Sequence, residues 1–169
     1  DVQSRTFECT GSVQIGDNVV TCTSAHGTLD LGKALTVSCN CTFGQLAAEL
    51  GSDIMAEYVD KVGLTNQYSI NGIATAPSTF DFNTDENKLA WSGVGQGNDM
   101  VNPCALMIYA GAIANGGEAA VPQIISKVKT SVGIPTSVYL KHNTDRFLSE
   151  TTAGKLSAMM KDNVANNYG

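Results

Sequence analysis

Residues 38–43 read SCNCTF. Ser38 offers a hydroxyl and Asn40 a carboxamide two positions later. In a tight turn between helices, both can face one cleft. A serine hydroxyl can attack a carbonyl or relay a proton, given a base and donors for the developing oxyanion. The interleaved Cys39 and Cys41 admit three readings: metal ligands, half of a disulfide framework, or bystanders. Five cysteines (Cys9, Cys22, Cys39, Cys41, Cys104) in 169 residues are an odd number and too few for a disulfide scaffold. C-x-C alone is a weak metal signal, and the Cys9–Cys22 spacing is no zinc signature.

The elements around this stretch follow from periodicity and caps. Residues 6–23, with Val13, Ile15, Val19 and Val20 around Gly16-Asp17-Asn18, read as a short β-hairpin. HGTLDLGKALTVS opens a helix capped by Thr28 or Asp30, with a stripe of Leu31, Ala34 and Leu35. Ser38 falls on that same face. Phe43, Leu46, Ala47 and Leu50 recur at helical spacing after Asn40, and Gly51 closes this second helix. Asp53 can cap a third helix, which Gly63 ends. Residues 64–100 lack periodicity and read as a long irregular segment holding the glycine-rich SGVGQGND. Asn102-Pro103 starts a helix apolar nearly all round, which should be buried, and Gly116-Gly117 end it. An extended hairpin around Gly133 follows. The last helix, capped by Thr151 or Thr152, has a stripe of Leu156, Met159, Met160 and Val164 expected to pack in the core. The predicted class is mainly α with small β-hairpins, in one unit without repeats.

Composition narrows function. Apolar residues make up 43% and charged residues 15%, so the chain is globular. A net charge of −6 with scattered acids argues against a nucleic-acid backbone binder, which would need a basic face. No apolar run reaches the roughly 18–20 residues that span a bilayer. The chain begins at Asp1 without a methionine and reads as a processed chain or a piece of something longer.

Four stretches, in order, resemble the transpeptidase domain of penicillin-binding proteins: FECTGSV…HGTLDL, ALTVSCNCTFGQLAAELG, SGVGQGNDMVNPCALMIYAGAIANGG and LSAMMKDNV. They cover nearly all of the chain, and the third is the most specific. The resemblance implies the helical lobe of the α/β penicillin-binding, serine β-lactamase-like fold, without cofactor. It makes Ser38 and Asn40 the family's Ser-x-Asn motif, one of three with Ser-x-x-Lys and Lys-Thr-Gly. Ser38 would bond the lysine of the first motif, and Asn40 would hold an amide of the substrate. The substrates implied are peptidoglycan stem peptides ending in D-Ala-D-Ala, with β-lactams as mimics. The place implied is the extracytoplasmic face of the bacterial membrane, with an anchor upstream of this chain and contacts to other cell-wall synthesis proteins. Gly95, Gln96 and Gly97 match a structural loop at the cleft.

On this reading the Ser-x-x-Lys motif lies before residue 1 and Lys-Thr-Gly after residue 169. SKVK (Ser126–Lys129) and KTS (Lys129–Ser131) match them formally, but in an extended segment of the wrong context. The segment alone is therefore expected to be inactive. Cys39 and Cys41 become bystanders. No metal site is expected, although some relatives hold a zinc near this place and His26 with Cys9, Cys22 or Asp30 would be its ligands here. A Cys9–Cys22 disulfide is the lesser reading, since the two are not directly opposite around the turn. The alternative from another class is a non-catalytic relative that binds muropeptides or β-lactams, or docks onto a wall-synthesis complex.

Overall fold

The computed structural model describes residues 2–82 and 85–168. Strands β1 (Thr6–Cys9), β2 (Ser12–Ile15), β3 (Asn18–Thr21) and β4 (Gly27–Asp30) open the chain. β2 pairs with β3 around the Gly16-Asp17 turn, and β1 pairs with β4 in register Cys9↔Gly27. The expected hairpin is therefore the tip of a longer one. Thr28, a candidate helix cap, sits in β4 instead. The alternation explains this: Phe7, Cys9 and Leu29 point inward while their neighbours face water.

Helix α1 (Leu31–Thr36) is capped by Asp30, whose Oδ1 accepts the Lys33 N–H at 2.7 Å. Helix α2 (Asn40–Lys61) breaks at Gly51, where φ 78° and ψ 165° suit glycine alone. The two helices expected on either side of Gly51 are the two halves of α2. β5 (Ser69–Ile70) and β6 (Ile73–Ala74) form a minimal hairpin.

Helix α3 (Glu86–Val94) lies inside the segment expected to be irregular. It is short, and only Leu89 and Ala90 are buried, too few points to show a period. Its start is marked by Asp85, which accepts the N–H groups of Asn87 and Lys88. Helix α4 (Pro103–Ala114) begins as expected, with Asn102 accepting the Cys104 N–H at 2.8 Å. It is not buried all round: Leu106 and Met107 are 52% and 56% exposed.

β7 (Lys127–Lys129) and β8 (Pro135–Val138) make the exposed hairpin around Gly133. Helix α5 (Glu150–Asn163) is capped by Ser149, not by Thr151 or Thr152, and runs into a π-helical turn over Val164–Tyr168. Ala153 is its buried contact; Met159 is half-buried, and Met160 and Val164 are exposed, against the expected core stripe. Among the described residues no helix is long and apolar enough to cross a membrane.

Three small clusters form the interior. Cys9, Leu29, Ala34, Cys39 and Cys41 fill the space between the first hairpin and α1–α2. Ile15, Val20 and Ala90 join the hairpin tip to α3, and Ile108, Ala112 and Ala119 lie under α4. Gly93 lets α3 press against α2, since a Cβ there would overlap the Ala47 methyl and sit 3.0 Å from the Phe43 carbonyl.

Candidate functional site

The turn between α1 and α2 carries the Ser-x-Asn pair. Ser38 has φ +54°, a left-handed conformation that costs a non-glycine residue about 1–2 kcal/mol. Its N–H donates to Leu35 O at 3.2 Å, and the Cys39 N–H donates to Ala34 O at 2.9 Å. This is a Schellman ending, whose left-handed position normally takes glycine. α2 and α3 end in the same pattern with glycines there: Gly63 (φ 75°) with Leu64 N–H on Val59 O, and Gly95 (φ 84°) with Gln96 N–H on Trp91 O. Ser38 thus stands exposed at a position where glycine fits without strain.

Asn40 is the first residue of α2. Its Nδ2 donates to Thr21 O at 2.9 Å, which fixes the carboxamide against β3. Ser38 and Asn40 together line a cleft of about 350 Å³ with Leu35, Phe43, Gly93 and Val94. No lysine, histidine or carboxylate lines it among the described residues. A hydroxyl and a carboxamide can there orient and hydrogen-bond a polar substrate, while activation of a nucleophile needs a base from elsewhere. Gly95 ends α3 directly after Val94, which lines this cleft. Gln96 and Gly97 turn away and line a neighbouring pocket of about 330 Å³ with Trp91 and Asp81. None of Gly95, Gln96 and Gly97 lines the Ser38 cleft, and Gly95 serves as the helix ending. Ser126–Ser131, the formal matches to the other motifs, lie in exposed chain around β7.

A second cluster lies behind the turn. Cys9, Cys22, His26 and Cys39 bring one ligand atom each to within 4.8 Å of one another. His26 Nδ1 is 3.6 Å from Cys9 Sγ and 3.5 Å from Cys22 Sγ, and the Cys22 and Cys39 sulfurs are 4.0 Å apart. A tetrahedron with arms of about 2.3 Å to sulfur and about 2.0–2.1 Å to nitrogen has edges of about 3.5–3.8 Å. The donor set and the two thiol–imidazole distances fit Zn²⁺, and the Cys22–Cys39 separation is slightly longer than the ideal edge. Burial opposes ionisation of Cys22, but the backbone N–H groups of Cys41, Asn40 and Thr23, with the Cys9 thiol, outweigh it and bring Cys22 down to about 6. Burial pushes the Cys39 and Cys41 thiols up. Ser24 Oγ lies 3.0 Å from His26 Nε2 and orients the ring.

Spacing missed this grouping, because it depends on hairpin register. Cys9 faces Gly27 across β1–β4, which delivers it to His26, and the α1–α2 turn brings in Cys39. Cys39, expected as a bystander, thus belongs to the cluster. Asp30 does not, being the cap of α1. Cys9 and Cys22 are free thiols.

The fold has close counterparts. The chain superposes on the D,D-transpeptidase domain of a peptidoglycan glycosyltransferase from Eggerthella lenta with TM-score 0.87 at 23% identity, covering 97% of this chain and 44% of that one. Penicillin-binding protein A from Mycobacterium tuberculosis, in its ceftriaxone acyl-enzyme complex, matches with TM-score 0.89 at 22% identity over 96% of this chain and 38% of that one. A peptidoglycan glycosyltransferase from Burkholderia ambifaria matches with TM-score 0.76 at 19% identity over 97% of this chain and 50% of its own. The chain therefore spans half or less of the length of these relatives. The family model for the penicillin-binding protein transpeptidase domain matches residues 3–169. The chain belongs to that family.

Proposed function

We propose that this chain is the Ser-x-Asn-bearing helical lobe of a serine D,D-transpeptidase that cross-links peptidoglycan stem peptides ending in D-Ala-D-Ala. β-Lactams acylate the complete enzyme as substrate mimics; a relative has been captured as a ceftriaxone acyl-enzyme. The observation that carries the reading is Ser38, held left-handed where α2 and α3 use glycine, opening with Asn40 onto one cleft. In the reaction the Ser38 hydroxyl relays the proton between the nucleophile's lysine and the leaving amine, and the Asn40 carboxamide holds a substrate amide. On this reading the nucleophile and base come from sequence outside these 169 residues, in keeping with a cleft that no titratable group lines among the described residues. The segment alone does not acylate. The complete protein works at the extracytoplasmic face of the cell membrane, anchored by sequence outside this chain, beside other wall-synthesis proteins.

Fluorescent-penicillin labelling of the full-length protein beside this chain, on one denaturing gel, tests the reading. Label on the full-length protein alone supports it. Label on neither favours a non-catalytic muropeptide- or β-lactam-binding relative, and label on this chain removes the claim that the nucleophile lies outside it.

The thiol and imidazole geometry favours one addition. Cys9, Cys22, His26 and Cys39 hold a structural zinc ion that staples β1, the end of β3 and the α1–α2 turn. Metal analysis of the purified protein should find one equivalent of zinc, lost in Cys39→Ser. Protein purified with zinc present that carries none would end this reading.

A further inference from the structure

The end of α1 is held from the far end of the chain. The Asn163 Nδ2 donates to Thr36 O at 2.7 Å and to Leu35 O at 3.2 Å. These are two of the carbonyls that a helix end leaves without internal partners. Next to it, Asp162 Oδ2 accepts the hydroxyl proton of Thr36 at 2.5 Å. Thr36 is buried, 1% exposed, and its hydroxyl has two acceptors in reach, Gly32 O of its own helix at 3.1 Å and the nearer Asp162 carboxylate, which ties it to α5. The other Asp162 oxygen accepts the Asn166 amide at 2.6 Å, which sets the carboxylate's orientation. Leu35 O receives both the Asn163 amide and the Ser38 N–H, so one α5 side chain touches a bond that defines the Ser38 turn. Neither Asp162 nor Asn163 lines the Ser38–Asn40 cleft.

The strained Ser38 conformation persists only if its surroundings over-determine it. The Schellman bonds hold the turn from α1, the Asn40 N–H on Cys22 Sγ and the Asn40 amide on Thr21 O hold it from the α2 side, and the Asn163 amide on Leu35 O and Thr36 O ties it to α5. We infer that Asp162 and Asn163 are positioning residues: they fix the Ser38 turn so that its hydroxyl stands at the correct height in the cleft for acyl transfer. The inference rests on the transpeptidase reading. A misplacement near 1 Å at a reacting group costs about 100-fold in rate, so the effect belongs in the acylation step and not in initial binding.

The test is stopped-flow acylation of the full-length protein by a fluorescent penicillin, resolving the affinity of the non-covalent complex from the acylation rate constant. Asn163→Ala and Asp162→Ala should slow the rate constant by about 10- to 100-fold with the initial affinity little changed. Asp162→Asn, which keeps an oxygen acceptor for Thr36, should recover most of the rate. Thr36→Val, nearly the same in volume, removes the Asp162 link from the buried side and should slow acylation as Asp162→Ala does, which keeps the test decisive if an α5 variant does not fold. Wild-type rate constants in these variants overturn the inference, as does Asp162→Asn acylating as slowly as Asp162→Ala. A wild-type protein that takes no label overturns the transpeptidase reading instead.

Discussion

At the scale of single residues, Ser38 gives two opposed expectations. Ser38→Gly relieves a left-handed side chain and should stabilise the fold by up to about 1 kcal/mol. Chemical denaturation of wild type and variant would measure this. The same substitution, like Ser38→Ala, should lower penicillin acylation of the full-length protein by two orders of magnitude or more, on the order of general acid–base contributions. A substitution that stabilises while disabling is the mark of a functional residue. SCN could be found in the sequence because its residue types and their order match a motif. The backbone strain at Ser38 could not, since no sequence pattern reports φ. Ser149 shows a smaller failure of the same kind. Three hydroxyl residues stood within four positions, and the one that caps α5 was decided by where the chain turns, with its Oγ accepting the Thr152 N–H at 3.1 Å. Ser149→Ala should cost about 1 kcal/mol in thermal or urea unfolding.

At the scale of elements, the closest packing is α2 against α3. Gly93→Ala puts a methyl against Ala47 and the Phe43 carbonyl, which are backbone and short side chain and cannot swing aside. Overpacking of this kind costs about 1–3 kcal/mol, and the displaced α3 would also reshape the wall of the Ser38 cleft. Urea unfolding should show the loss, and a near-neutral result would mean that α3 slides freely. α3 itself was hidden in the sequence, because nine residues with two buried positions carry little periodicity. Its glycines pointed to a loop, whereas Gly93 is there for contact and Gly95 for the left-handed ending. The helices with long apolar stripes or firm end signals, α2 and α4, were legible for the opposite reason. Of the thiol–imidazole cluster, His26, Cys9 and Cys22 were named through the resemblance, whereas Cys39 was not, as the cluster is made by strand register and a turn and not by spacing within one element.

At the scale of the whole molecule, much apolar surface has no cover among the described residues. Ile124, Val132 and Leu140 are 79%, 78% and 80% exposed. Between α4 and α5 lies an open groove of about 470 Å³ lined by Ile113, Met160 and Val164. The stripe of α5 and the apolar body of α4 look like core in the sequence because spacing reports an apolar face and not what covers it. Patches of this kind promote association, so this chain should elute as dimers or larger species in light-scattering chromatography, and the full-length protein should not. The long-range bond from Asp162 also gives stability a pH signature. Hydrogen bonds from Thr36 and then Asn166 hold the Asp162 carboxyl below its ordinary range. A carboxyl lowered in the folded state contributes stability above its unfolded value and loses it as pH falls through the folded one. The difference in melting temperature between wild type and Asp162→Ala should therefore be largest near neutral pH and shrink in acid.

The same bond sets an order of events during synthesis. Thr36 and Asp162 are 126 positions apart. A ribosome adding about 5–20 residues per second needs on the order of ten seconds to cover that interval. For all of that time α1 and its serine turn exist without the α5 side chains that hold them. On that inference the turn reaches its final shape only after the far helix has left the exit tunnel, so a segment made well before α5 is finished after it, and a translation product interrupted between them would carry the motif without the geometry.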